Sequence, residues 1–154
     1  MACYHHVSAS LSTIYGQLAT SKHVGGNASL VLDHPIDPYE GGIKYHIMPP
    51  FKRYRELDQL SGGEATMASL ALLFALFSFK KAPFFVLDEI DAALDNANVT
   101  LLKNFILRQK NVQIVCISLK DALFQQADTL VGVCKDQDSS SSRVILLDLK
   151  SFTA

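Results

Sequence analysis

At 154 residues, 49% of them hydrophobic and 19% charged, the chain has the length and apolar content of one globular domain, residues 1–154, and is too apolar for a disordered segment. Its formal net charge of -1 excludes a general electrostatic drive toward nucleic acid or an anionic membrane surface, leaving only a local basic cluster at Lys52-Arg53-Tyr54-Arg55. Cys3, Cys116 and Cys134 are odd in number and widely separated, which argues for reduced core thiols in a cytosolic or nuclear compartment rather than a disulfide frame.

In chain order, Val7, Leu11, Ile14, Tyr15 and Leu18 recur at helical spacing and predict an amphipathic helix that ends before Gly25-Gly26. Two short strands follow, at Leu30-Leu32 and Ile43-Ile47, separated by a turn-rich segment carrying Pro35, Pro38, Gly41 and Gly42. Pro49-Pro50 closes the second strand. From Glu64 to Phe79 the residues are Ala, Leu, Met and Phe-rich without Gly or Pro, which reads as a helix buried on most sides. Its apolar stretch, Met67 to Phe79, is interrupted by Ser69 and Ser78 and is too short to span a bilayer. The N-terminus lacks a signal-peptide core, so a soluble protein with no membrane partner is expected.

Phe84-Leu87, Val112-Ile117 and Val144-Leu147 are continuous apolar runs of strand length, as expected for strands covered on both faces. Val99, Leu102, Phe105 and Ile106 form a helical stripe between the first two, from Asn96 to Lys110. Strand, helix and strand in that order imply a parallel crossover. A helix at Asp121-Ala127, a strand at Thr129-Val133 and a polar surface loop from Lys135 to Ser142 complete the chain. The expected class is α/β, with a mostly parallel core sheet flanked by helices, an N-terminal helix and hairpin-like strands.

Three segments carry chemistry. Asp88-Glu89 ends an apolar strand, where α/β sheets collect ligands, and two adjacent carboxylates there are costly unless a cation and a reactive water offset the charge. Asp88 suits a hydrated Mg²⁺, an ion that takes few carboxylates plus waters and phosphate oxygens. Glu89 suits the general base that orients and deprotonates an attacking water in phosphoryl transfer. Upstream, Ser61-Gly62-Gly63-Glu64 is a capping box, which explains Ser61 and Glu64. It leaves the two glycines unexplained, and these let backbone N–H groups at a helix start approach a phosphate. Downstream, Ala93-Leu94-Asp95 follows at close spacing, and Asp95 can N-cap the next helix.

In this order, Leu60-Ser61-Gly62-Gly63-Glu64, Phe84-Glu89 and Ala93-Leu94-Asp95 resemble the signature, Walker B segment and D-loop of the ABC-type ATPase heads of the structural maintenance of chromosomes (SMC) family. Within it, the stretches Gly42-Tyr45, Lys52-Arg55 and Ala82-Asn96 are most similar to cohesin-type subunits. The resemblance covers nearly the whole chain and implies the C-terminal lobe of a head whose N-terminal lobe lies at the far end of a folded-back coiled coil. Consistent with this, the sequence contains no Gly-x-x-x-x-Gly-Lys-Ser/Thr phosphate loop. It further implies ATP and Mg²⁺ as cofactors, with Asp88 on the metal, Glu89 catalytic, and Ser61, Gly62, Gly63, Glu64, Asp95 and Ser118 around nucleotide.

The implied partners are the N-terminal lobe, a partner SMC head, the winged-helix domain of a kleisin, and DNA through the assembled complex. The implied location is the nucleus, on chromosomes. The isolated chain is expected to be inactive. Alternatives are a kleisin-docking module with little hydrolytic role, or the head of another SMC or DNA-repair ATPase. Two departures stand out: Ala65 where many relatives carry Lys or Arg, and Ser118-Leu119-Lys120 where transporter-type relatives have a switch His. Ser118 can hydrogen-bond phosphate or water but supplies no imidazolium charge. Lys52, Arg53 and Arg55 read as a solvated loop or a DNA contact. His5-His6, His23, His34 and His46 lack metal-ligand spacing.

Overall fold

The computed structural model describes residues 1–135 and 141–151, so residues 136–140 of the expected surface loop lie outside the described residues. It forms two compact units, Met1–Leu119 and Lys120–Ala154.

The first unit opens with α1 (Ala2–Leu18), whose Val7, Leu11, Tyr15 and Leu18 are buried at the spacing of one helical face. The helix begins five residues before the predicted stripe because tertiary bonds hold its first turns. Tyr4 Oη donates to the Leu30 carbonyl at 3.2 Å, and the His6 ring meets Ser78 Oγ at 2.8 Å. A miniature hairpin not foreseen in the sequence follows, β1 (Thr20–Ser21) and β2 (Val24–Gly25), turned by Lys22 and His23 with φ of 47° and 68°. Such a turn normally announces itself with Asn-Gly, and here it does not. Next, β3 (Asn27–Leu32) and β4 (Ile43–Met48) pair antiparallel in unbroken register from Asn27↔Met48 to Leu32↔Ile43.

α2 (Gly62–Phe79) follows a 3₁₀ turn at Leu57–Gln59 and packs against α1. With 18 residues it is long and apolar enough to cross a membrane, which revises the reading that this stretch is too short. Its packing identifies a core helix: Met67, Ala68, Leu70, Ala71, Phe74 and Ala75 are buried, and Tyr45 Oη donates to the Ala68 carbonyl at 2.8 Å. The expected burial on most sides is corrected as well, since Leu73 and Leu76 stay exposed on the other side.

β5 (Phe84–Asp88) and β6 (Gln113–Ile117) are joined by α3 (Asn96–Leu107) and pair in parallel, as strand–helix–strand order predicts. Only one face of this pair is covered. Phe85 packs at a tilt on Phe77, ring centres 3.9 Å apart, and edge-on to Phe74 at 5.8 Å, and Phe74 meets Phe105 of α3 at 4.8 Å. The opposite face bears Phe84 and Val86 beside Val115 and Ile117, each between 44% and 57% exposed. The strands are therefore not covered on both faces as their sequence suggested, because α2 and α3 pack from one side. Fully buried Leu11, Leu18, Leu102 and Met67 anchor the core, each worth about 2 kcal/mol of apolar burial.

The second unit holds α4 (Asp121–Phe124), shorter than predicted, and the antiparallel hairpin β7 (Thr129–Lys135) and β8 (Ser142–Asp148). Lys150 Nζ pairs with Asp128 at 3.0 Å near its base. The hairpin is exposed on both sides, with Val131, Val133, Val144 and Leu146 forming one apolar face, so β8 too lacks the two-sided cover expected of it. Among the described strands the parallel component is the β5–β6 pair, and the other three pairs are antiparallel. The described cysteines are all free, but Cys116 and Cys134 are exposed rather than in the core.

Candidate functional site

The chain brings its candidate residues together in two groups. The first lies at the carboxyl ends of β5 and β6. Asp88 is the last residue of β5, sits opposite Ile117, and is exposed. Glu89 follows in a left-handed conformation, φ 47°, which is uncommon for a residue with a long side chain and costs on the order of 1 kcal/mol. Two hydrogen bonds hold it there: its N–H donates to the Ile117 carbonyl at 2.9 Å, and its own carbonyl accepts from Ala92 N–H at 3.1 Å. The turn leaves both carboxylates open to solvent and sends the chain inward at Asp91.

Asp91 is the piece that sequence reasoning left out of the site. It is 2% exposed, and its Oδ2 accepts a hydrogen bond from Ser118 Oγ at 2.6 Å. Ser118, assigned to the nucleotide from the sequence, is thus bound to a carboxyl group of its own chain. The position of Asp91 two residues beyond Glu89 was visible in the sequence, but only the turn at Glu89 decides that Asp91 points inward.

The second group surrounds the start of α2. Ser61 is its N-cap, and the capping box is present: Ser61 Oγ accepts from Glu64 N–H at 3.4 Å, while Glu64 Oε2 accepts from Ser61 N–H at 3.1 Å. Lys52 Nζ lies 2.8 Å from Glu64 Oε1. Burial pushes the Glu64 carboxyl up, but bonds from Lys52 and from the Ser61 backbone and hydroxyl outweigh it, so the group ends below the usual carboxylate range. A β-carbon on Gly63 would lie 3.1 Å from the Ala93 carbonyl, whereas one on Gly62 would meet nothing within 4 Å. Gly63 is explained by the close passage of the Ala93 carbonyl, and Gly62 by no such contact among the described residues. Asp95 caps α3 by accepting from Asn98 N–H at 2.8 Å.

The basic cluster is largely committed to this neighbourhood. Besides the Lys52 pair, Arg55 Nη1 donates to the Gln59 carbonyl at 3.2 Å, and Tyr54 Oη accepts from Asn27 Nδ2 at 2.9 Å. Ala65 lines an open groove of about 350 Å³ with Thr66, Ser69, Leu70, Leu73 and Ile90. Among the described residues no cluster of three or more His, Cys, Asp or Glu side chains is arranged to hold a metal. Mg²⁺ does not require one. An exposed carboxylate at a strand end, beside a second acid, fits an ion that completes its shell with water and phosphate oxygens.

Acidic residues at the carboxyl ends of a parallel pair and a glycine-bearing capped helix beside the following loop define, with the solved neighbours, an ABC-type ATPase head. The chain superposes on the Smc head bound to the C-winged helix domain of ScpA with TM-score 0.85 at 35% identity, over 97% of this chain and 44% of that one. A structure from work on ATP-driven dimerization and DNA stimulated activation of SMC ATPases gives TM-score 0.82 at 34% identity, over 96% and 86%. The family described as RecF/RecN/SMC N terminal domain matches residues 12–142, and the chain belongs to the SMC family. It is 50% identical to Structural maintenance of chromosomes protein 1 of Schizosaccharomyces pombe over 98% of its length, and 46% identical to that of Saccharomyces cerevisiae over 97%. It spans 13% of the length of each of these relatives.

Proposed function

We propose that the chain is the C-terminal lobe of the ATPase head of the first SMC subunit of cohesin, acting in ATP-dependent head engagement during sister chromatid cohesion and chromosome organisation in the nucleus. The observation that carries this reading is the left-handed turn at Glu89, which presents Asp88 and Glu89 to solvent at the ends of β5 and β6. Asp88 would hold Mg²⁺, and the ion would supply positive charge against the negative charge that develops on the phosphate. Glu89 takes the proton of the attacking water. Ser61, Gly62 and Gly63 contact the γ-phosphate of a nucleotide held on the partner head, the open space over Gly62 supporting a close approach by a group outside the chain. Glu64 stiffens the signature through its bonds to Ser61 and Lys52, and Asp95 fixes the D-loop by capping α3.

The reading makes hydrolysis a property of the assembled head rather than of this lobe alone. The apolar face of Phe84, Val86, Val115 and Ile117 supports docking of the N-terminal lobe, which supplies the phosphate loop. DNA is held by the complete complex. Reconstitution with the N-terminal lobe and a partner head tests the reading. Glu89→Gln should bind ATP, stop turnover and trap engaged heads, and Ser61→Arg should block engagement. Unchanged ATPase activity in Glu89→Gln would sink the mechanism.

A second role is docking of the winged-helix domain of a kleisin, supported by the exposed hairpin of β7 and β8 and by the ScpA-bound neighbour. Binding of that domain without nucleotide, unaffected by Glu89→Gln, is the expected result. The runner-up identity is the head of another SMC or DNA-repair ATPase. A Structural maintenance of chromosomes protein 4 from Saccharomyces cerevisiae, 44% identical over 94% of this chain, keeps that comparison close, and exchange of partner heads in an engagement assay separates the two.

A further inference from the structure

Asp91 is the one buried polar or charged residue among the described residues with a side chain 2% exposed. A carboxyl group in that position is costly unless it is hydrogen-bonded, and the bond it has is with Ser118, at the short distance typical of a hydroxyl held by a carboxylate. A serine hydroxyl owns one proton and two lone pairs. With the proton on the Asp91 side, what Ser118 Oγ can offer toward the carboxyl ends of β5 and β6 is acceptor capacity. Phosphate oxygens are acceptors too and gain nothing from it. A water molecule does.

Resting on the reading of Asp88-Glu89 as the hydrolytic pair, we propose that Asp91 is a positioning residue: by accepting the Ser118 O–H hydrogen bond it turns the lone pairs of the serine oxygen outward as a second acceptor for the attacking water, alongside Glu89. The neighbourhood suits this, because Glu89 N–H is bonded to the carbonyl of Ile117, the residue immediately before Ser118. One water proton points to Glu89 and the other to Ser118, which leaves a lone pair aimed at the γ-phosphorus. As the new O–P bond forms, the Glu89 carboxylate receives the first proton. The bond from phosphorus to the bridging oxygen breaks, and ADP departs with that electron pair. Ser118 keeps its own proton throughout.

The test uses the full-length protein assembled with its partner head. Ser118→Ala, which removes only the acceptor, should lower kcat about tenfold, the effect of one lost orienting hydrogen bond, with KM for ATP and ATP-dependent engagement unchanged. Ser118→Thr should restore most of the rate. Asp91→Ala, which removes the acceptor for the Ser118 proton, should lower kcat in the same way, and the double variant Asp91→Ala with Ser118→Ala should be no slower than Ser118→Ala alone, as expected of two groups acting as a unit. A merely structural bolt would instead move engagement and KM together with kcat, and that result overturns the proposal, as does a wild-type kcat in Ser118→Ala. If Asp91→Ala does not fold, Asp91→Asn decides the matter: its amide oxygen still accepts from Ser118, so kcat should stay within about twofold of wild type, and a loss as deep as in Ser118→Ala overturns the proposal. Glu89→Gln is the control: loss of turnover there with normal rates in both Ser118→Ala and Asp91→Ala rejects the Asp91 role alone, while normal turnover in Glu89→Gln rejects the underlying reading of the site.

Discussion

Gly63 and the Ala93 carbonyl pass so close that a β-carbon on the glycine would sit 3.1 Å from that oxygen, which ties the start of α2 to the turn before α3 within one chain. The two glycines of the signature therefore predict opposite outcomes. Gly63→Ala should cost about 1 kcal/mol, because the D-loop carbonyl must give way. Gly62→Ala enters open space and improves helix propensity, so it should leave stability unchanged or raise it by up to about 1 kcal/mol, while weakening engagement. Thermal unfolding of the head and an engagement assay on both variants provide the check, and equal destabilisation by the two would contradict the geometry.

The Lys52–Glu64 pair predicts a pH signature. Its side chains are 50% and 23% exposed, and against the opposing effect of burial the bonds from Lys52 and Ser61 hold the folded Glu64 carboxyl below its ordinary value. A depressed carboxylate contributes stability that is present above the unfolded pKa and lost as pH falls through the folded one. Lys52→Met should let burial dominate and raise the Glu64 pKa. Its destabilisation relative to wild type, followed by chemical denaturation, should be full near neutrality and fade as the pH drops into the acid range. A gap that is constant across that window would assign the effect of Lys52 to packing.

At the alkaline end, Tyr15 is fully buried, and burial first, with the Glu64 charge second, pushes its phenol up to about 12. Tyr45 is raised in the same direction, chiefly by burial. A phenol raised in the folded state contributes stability that is whole below the unfolded pKa of about 10 and is lost as pH climbs through the folded value, on the order of 3 kcal/mol for Tyr15. Loss of helical signal should therefore set in above about pH 10, and Tyr15→Phe should shift its midpoint upward. Phenolate absorbance and circular dichroism recorded together would show whether unfolding and ionisation coincide.

For the face of β5 and β6, Val86→Glu should spare the lobe, since Val86 is 57% exposed, yet abolish co-purification with the N-terminal lobe. Leu87→Glu, one residue on and 3% exposed, should instead unfold the chain, because it places an unpaired charge in the core. Equal recovery of wild type and Val86→Glu with the N-terminal lobe would send the search for its docking surface elsewhere.

Much of this was legible before any coordinates, wherever the signal was local. The capping box at Ser61 and Glu64, the N-cap at Asp95 and the stripe of Val99, Leu102 and Phe105 each depend on residues within a turn or two, and each is found as read. What escaped was decided by backbone direction or by packing. Lys22-His23 makes a hairpin turn without a turn-forming residue, and Asp91 faces inward only because Glu89 bends the chain. The apolar runs of β5, β6 and β8 mark surfaces meant for burial without naming what buries them, so their exposure here was not readable from hydrophobicity. Lys52 read as part of a solvated loop or a DNA contact because its partner, Glu64, lies twelve residues away, across a loop.

The left-handed backbone at Glu89 sets selection for stability against selection for turnover at a single codon. Glycine or asparagine would occupy that φ with less strain, so a library of variants chosen only for thermal resistance should drift toward them at this position and yield robust, catalytically silent heads.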